Sequence, residues 1–338
     1  MDKKVLIINT GGTIGMVPTD NGYAPKKGAL LAEIEQIRDL NSDRMPAWDM
    51  IEFDPLLDST NVRYEQWNMI AKVVAKKYAK YDGFVVLHGT DTLAYSASAL
   101  SFMLENLDKP VVFTGSQIPL CEIRSDGRDN IITSLMIAAC GVVREVCLYF
   151  GNSLYRGNRT TKYSADDMVA FSSPNYPALA KAGIDIKYSK AHVLDKGFEI
   201  KGELELTEIK ECKLGVIKVF PGVQFGLFKP IVQEMDGLIL ETFGTGNIPT
   251  YDPALTELIN EAFRRDTAVV VCTQCPQGSV RLGAYEAGSA LVDAGAISGF
   301  DMTTEAAVTK LSFLLSRGCS FEAIRTLMEM NLRGELSK

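Results

Sequence analysis

Histidine is scarce in this 338-residue chain, which has two, and so is tryptophan, also two. The commonest general base and metal ligand is therefore almost missing, and chemistry here must rest on other groups. Long apolar runs are absent as well: no segment approaches the ~18 residues of a membrane span. Met1-Asp2-Lys3-Lys4 leads into a short aliphatic run, without the roughly 7–15 apolar residues and small-residue cleavage site of a secretory signal. Positive charge is in deficit, with 35 Lys and Arg against 42 Asp and Glu for a net −7. That balance argues against a nucleic-acid or anionic-membrane partner, and Lys76-Lys77 is only a solvated pair on a helix face. The seven cysteines are odd in number and scattered, with Cys140, Cys147 and Cys272 inside apolar runs. Cys272-x-x-Cys275 has no second pair and no histidine beside it, so neither a zinc site nor a redox pair is expected. This is the cysteine usage of a reducing compartment, and the expected location is the cytoplasm, with no metal or cofactor.

What is present is ordinary globular composition, 46% hydrophobic and 23% charged, in a chain long enough for two domains of roughly 150 residues each. A chain near this size buries about 75% of its unfolded surface and needs no staple. The periodicity predicts strands at Val5–Ile8, Met50–Phe53, Phe84–Leu87, Val111–Thr114 and Val146–Phe150, alternating with apolar-striped helices. Residues 16–28 read as a mobile loop, residues 29–40 carry Leu30, Ile34, Ile37 and Leu40 at helical spacing, and Asn61 reads as the cap of the helix after it. Further strands are expected near 214–220, 237–242 and 268–273, with helices over 305–315 and 321–330. The expected fold is α/β: a larger N-terminal doubly wound sheet domain over 1–188, a connecting ribbon over 189–212 and a smaller C-terminal α/β domain over 213–338.

The chain is organised around Val5-Leu6-Ile7-Ile8-Asn9-Thr10-Gly11-Gly12-Thr13-Ile14-Gly15, a buried strand stopped by glycines. Met16-Val17 follows where a phosphate loop needs Lys-Ser/Thr, and the spacing is G-G-x-x-G rather than the dinucleotide G-x-G-x-x-G. A turn of this kind presents hydroxyls and free amide N–H groups at a strand's carboxyl end, where open α/β sheets bind ligands. A second strand ends in His88-Gly89-Thr90-Asp91-Thr92, a third in Gly115-Ser116-Gln117, and a fourth leads into Arg156-Gly157-Asn158-Arg159-Thr160-Thr161-Lys162. Thr13, Thr90, Asp91 and Lys162 thus gather at one sheet edge. A hydroxyl, a lysine and a carboxylate supply triad logic without histidine. His88 competes for the base role, but directly before Gly89 it reads better as the structural end of its strand.

At these residues the chain resembles the bacterial-type L-asparaginases, most closely the cytoplasmic type I enzymes. The likeness extends through Asp58-Ser59, Gly244-x-Gly246-Asn247 and the tail Asn331-Leu332-Arg333-Gly334-Glu335-Leu336, so it spans nearly the whole chain. It implies hydrolysis of L-asparagine to L-aspartate and ammonia. Thr13 would be the nucleophile, forming an acyl-enzyme, with Tyr23 on the lid positioning or activating it. Thr90 with Lys162 behind it would move protons and activate water. Asp91 would bind the substrate's α-amino group and Ser59 its α-carboxylate, with Thr60 nearby. The family assembles as homodimers paired into homotetramers, and Asn247 would reach a neighbour's site. Two positions depart from the pattern. Asn61 stands where the family often has Asp. Some type I enzymes also bind a regulatory asparagine through an arginine near a cysteine; Cys275 matches the cysteine, but Glu241 occupies the arginine's place, so this regulation is expected to be lost or altered.

Two other readings remain open at this stage. One is a glutaminase-asparaginase, or an amidotransferase's ammonia-producing subunit, which usually carries an extra N-terminal domain ahead of the nucleophile strand. The other is a non-catalytic amino-acid-binding regulator, which needs Asp91 and Ser59 but not Thr13 or Lys162.

Overall fold

Val5, Leu6, Ile7 and Ile8 are all fully buried in the strand Lys4–Gly11, so both faces of the sheet are covered at its centre. In the computed structural model, which describes residues 2–193, 202–251, 253–283 and 286–337, this strand pairs in parallel with Ala47–Leu57 on one side and Gly83–Leu87 on the other. Val111–Thr114 and Val146–Phe150 extend the parallel run. The chain leaves the first strand, adds Ala47–Leu57 at one flank and then resumes at the other. The direction of winding therefore reverses beside Lys4–Gly11, and the crevice at a reversal point is where such sheets bind ligands. Val5, Ile7, Val85, Leu87 and Val112 pack in one buried cluster with Leu30, Ile34, Ile131 and Leu135.

The sheet has eight strands and is mixed. Its far edge is built from the antiparallel strands Ser153–Arg156, Ala180–Ala182 and Ile186–Tyr188. By its contacts the chain divides into Met1–Leu206 and Thr207–Lys338. The break falls inside the expected connector 189–212, of which residues 194–201 lie outside the described residues.

Three local expectations need correction. Residues 16–28 are not an unpaired loop: Met16–Thr19 and Gly22–Pro25 pair as a hairpin, closed by the Thr19 hydroxyl donating to the Gly22 carbonyl at 2.5 Å. Asn61 does not cap the next helix. Asp58 first accepts from the Thr60 amide at 3.0 Å and caps a 3-10 turn, Ser59–Asn61, and the helix Tyr64–Lys77 then starts from Arg63. The apolar stripe at 29–40 is broken into the helix Ala29–Glu35 and the 3-10 turn Arg38–Asn41.

The second unit holds a four-stranded parallel sheet in chain order, Leu214–Lys218, Gly237–Thr242, Ala268–Thr273 and Ile297–Ser298. The helices Thr304–Ser316 and Phe321–Met328 start at Thr303 and Ser320, whose side chains accept from the amides of Ala306 and Ala323. Lys310 and Glu335 form a fully buried ion pair at 2.5 Å. The ammonium also donates to the Met328 carbonyl and the carboxylate accepts from the Leu332 and Arg333 amides, which ties down the tail.

Candidate active site

Three strand ends meet at the reversal point, and glycine is what lets them. A Cβ on Gly12 would stand 2.4 Å from the Gly89 Cα, and one on Gly89 would stand 2.5 Å from the Ser59 Oγ. Gly12 also has φ +89°, a conformation that side chains with a Cβ resist. The Gly12 amide donates to the Leu57 carbonyl at 3.1 Å, and the Thr92 hydroxyl to the Ser59 carbonyl at 2.7 Å. The loops after Lys4–Gly11, Ala47–Leu57 and Gly83–Leu87 are thereby joined by one backbone bond and one hydroxyl-to-backbone bond, and Thr13, Ser59 and Thr90 leave from the junction.

The half-buried Thr13 side chain makes no hydrogen bond among the described residues, and neither does the Ser59 hydroxyl, although Ser59 is only 4% exposed. The amides of Thr13 and Thr90 are likewise unpaired among the described residues. Beside them lies a linked set. The Lys162 ammonium donates to Thr90 Oγ1 at 3.0 Å and to Asp91 Oδ1 at 2.6 Å. The Thr90 hydroxyl in turn donates to Gln117 Oε1 at 3.3 Å.

Lys162 is delivered by a two-residue strand, Thr161–Lys162, paired with Phe171–Ser172. Just before it, Arg156 and Glu145 form a buried ion pair at 2.6 Å that anchors the turn. Gln117, which residue patterns alone did not single out for a role, also donates to the carbonyls of Ala165 and Asp167. Its own amide is held by both oxygens of Asp126.

His88 is 1% exposed, and burial pulls its pKa down to about 4, against a smaller upward effect of the Gly89 carbonyl. It is therefore neutral at working pH, with both ring nitrogens engaged, by the Gly89 carbonyl and the Ser96 hydroxyl. Tyr23 sits on the hairpin strand Gly22–Pro25, exposed. Its hydroxyl donates to Glu122 Oε1 at 2.7 Å, which raises its pKa, and makes no hydrogen bond to Thr13. Thr60 follows Ser59 in the 3-10 turn and is exposed. Among the described residues no cluster of His, Cys, Asp and Glu could hold a metal, and no helix is long and apolar enough to cross a membrane.

A free hydroxyl beside unpaired amides, with a lysine–carboxylate pair on a second hydroxyl, is a combination that can serve acyl transfer. Residues 4–194 match the family model described as Asparaginase, N-terminal, and residues 213–328 match Glutaminase/Asparaginase C-terminal domain. The chain belongs to the asparaginase family. It is 46% identical to L-asparaginase 1 of Escherichia coli strain K12, over 99% of this chain and 98% of that one. The crystal structure of L-asparaginase I from Vibrio cholerae superposes with a TM-score of 0.93 at 44% identity, covering 100% of both chains. The thermostable L-asparaginase from Thermococcus kodakarensis gives 0.89 at 34% identity, covering 99% of each.

The remaining candidate residues of this asparaginase-family chain lie in its second unit. Asn247 closes a tight turn with Phe243 that follows the strand Gly237–Thr242. Cys275 is exposed, its amide donating to the Thr273 hydroxyl. The Glu241 carboxylate accepts from the Thr304 hydroxyl at 2.6 Å and stands 4.0 Å from the Lys218 ammonium.

Proposed function

We propose that the protein hydrolyses L-asparagine to L-aspartate and ammonia by way of an acyl-enzyme on Thr13. The observation that carries this reading is the glycine junction, which sends Thr13 and Thr90 out from one point while Lys162 bridges Thr90 and Asp91. Family membership supplies the substrate class; the junction supplies the chemistry.

In this reading Thr13 Oγ1 attacks the side-chain amide carbon. The negative charge that develops on the amide oxygen is stabilised by the unpaired Thr13 and Thr90 amides. The Thr13 proton passes through Thr90 to Lys162 acting as its free amine, and Asp91 stabilises the ammonium so formed until it returns the proton through Thr90 to the leaving nitrogen. The proton then leaves with ammonia, and water, activated by the same Thr90–Lys162 pair, releases aspartate from Thr13. Asp91, more than half exposed, has an oxygen left for the substrate's ammonium, and Ser59 offers its unpaired hydroxyl to the α-carboxylate. Tyr23 on the hairpin exchanges Glu122 for Thr13 as the hairpin closes over the substrate. We place the protein in the cytoplasm, working as a homodimer or homotetramer in which Asn247 reaches a neighbouring copy's site.

Ammonia release by the purified protein tests this directly, with L-asparagine, L-glutamine and D-asparagine in parallel. L-asparagine turnover that falls on the order of 10⁴-fold in Thr13→Ala is expected. Full turnover by Thr13→Ala would move the nucleophile to Thr90. Tight asparagine binding without turnover of any amide would leave a binding protein.

A further inference from the structure

Behind the Gly89–Thr90 peptide runs a chain of three side chains, from the half-buried Trp67 inward, that the chemistry above does not use. Trp67 Nε1 lies 3.0 Å from Ser96 Oγ, Ser96 Oγ lies 2.9 Å from His88 Nε2, and His88 Nδ1 lies 2.8 Å from the Gly89 carbonyl oxygen. Ser96 is fully buried, and His88 nearly so. The polarity of each bond follows from the two ends, because an indole N–H only donates and a carbonyl only accepts. His88 Nδ1 must therefore carry the proton and donate it to Gly89. In a neutral ring Nε2 then accepts, so the Ser96 hydroxyl donates to it and its oxygen takes the Trp67 N–H. Every donor and acceptor in the chain is used once in one direction, which pins the ring's tautomer and its orientation.

The consequence lies on the other side of the peptide. In a planar trans peptide the C=O and the following N–H point in opposite directions, so holding the Gly89 oxygen aims the Thr90 N–H. That N–H has no partner among the described residues. Gly89 must be glycine, since a Cβ would collide with Ser59, yet glycine leaves the peptide plane freer to rotate. These side chains supply the orientation that the glycine cannot.

We propose that His88, locked as the neutral Nδ1–H tautomer by Ser96 and Trp67, is a positioning residue that aims the Thr90 amide at the oxyanion of the tetrahedral intermediate. This rests on the Thr13 acyl-transfer reading, and its failure is separable from that reading's failure, which shows as activity retained by Thr13→Ala.

The first test needs no variant of the site. In a long-range ¹H–¹⁵N correlation spectrum of histidine-labelled protein near neutral pH, the chain's two histidines are assigned through His192→Gln. His88 is expected as the Nδ1–H tautomer, and an Nε2–H tautomer overturns the proposal. Kinetics supply the second test. His88→Asn keeps an N–H where Nδ1 stood, whereas His88→Gln reaches Ser96 and leaves the Gly89 carbonyl without a donor. On L-asparagine, His88→Gln should lose roughly 10²-fold in kcat, as for a misplaced oxyanion donor, with KM nearly unchanged and most of kcat restored in His88→Asn. Equal losses in both variants, or a loss confined to KM, would assign His88 a purely structural role. If these variants do not fold, Ser96→Ala frees the ring to take the Nε2–H tautomer. A switched tautomer with lowered kcat supports the clamp, and a switched tautomer with unchanged kcat removes it.

Discussion

The Lys162 ammonium is shared between a hydroxyl at 3.0 Å and a carboxylate at 2.6 Å, and the Thr90 hydroxyl has its own proton directed at Gln117. Thr90 Oγ1 thus has one bond received and one given, and it passes a proton on by turning its own from Gln117 to the free amine of Lys162 as it takes up that of Thr13. A methionine at 162 keeps the length and loses the relay. Lys162→Met is expected to cut kcat by roughly 10³-fold or more while the thermal midpoint and asparagine binding stay close to those of the parent. If instead KM rises steeply with kcat preserved, Lys162 is a substrate contact and the relay is wrong. At this scale the gathering of Thr90, Asp91 and Lys162 was legible in the chain itself. Thr13, Thr90 and Asp91 follow glycine turns at strand ends, and Lys162 reaches Thr90 and Asp91 from the strand Thr161–Lys162. Gln117 and the Trp67–Ser96–His88 chain were not legible. Each acts across separate elements, Gln117 over 27 residues to Thr90 and Trp67 over 29 to Ser96, and no spacing rule connects them.

The parallel strands could be read because aliphatic runs such as Phe84-Val85-Val86-Leu87 are buried on both faces and bounded by glycine. The antiparallel edge was not readable: Ala180–Ala182 and Ile186–Tyr188 are three residues each, too short for a period-two signal. The hairpin at 16–25 reads as a loop in the sequence because Pro18 and Gly22 punctuate it, although proline is tolerated on a strand that pairs along one edge. The glycine junction is the element-scale feature that makes the site. Gly12→Ala puts a methyl 2.4 Å from the Gly89 Cα, backbone against backbone with no side chain to swing aside, at φ +89°. The substitution should cost on the order of 3 kcal/mol and separate Thr13 from Thr90. Thermal unfolding and kcat should therefore fall together. An alanine variant with a midpoint within about 2 °C of the parent and full turnover would mean the two loops are not held by this contact.

At the scale of the whole molecule, the residues proposed to react, Thr13, Thr90, Asp91 and Lys162, all lie in the first unit, while those considered for regulation lie in the second. An effector that stimulates turnover from the second unit has to bind one state of the protein better than another. For an amino acid that preference depends on a cation for its α-carboxylate. At the strand position in question stands Glu241, whose carboxylate is already engaged by the Thr304 hydroxyl and has the Lys218 ammonium 4.0 Å away. An effector whose α-carboxylate sat at this position would face the Glu241 carboxylate, and at contact distance two like charges repel by about 1 kcal/mol even in bulk water and by more in protein surroundings. Cys275 lies two residues beyond the neighbouring strand Ala268–Thr273, its amide donating to the Thr273 hydroxyl. L-asparagine turnover should accordingly follow a hyperbolic saturation curve, and Cys275→Ala should leave its shape unchanged. A sigmoidal curve that becomes hyperbolic in Cys275→Ala would show an effector held there despite Glu241. Its carboxylate would then have to be met by Lys218, and Lys218→Met would abolish the sigmoidal response.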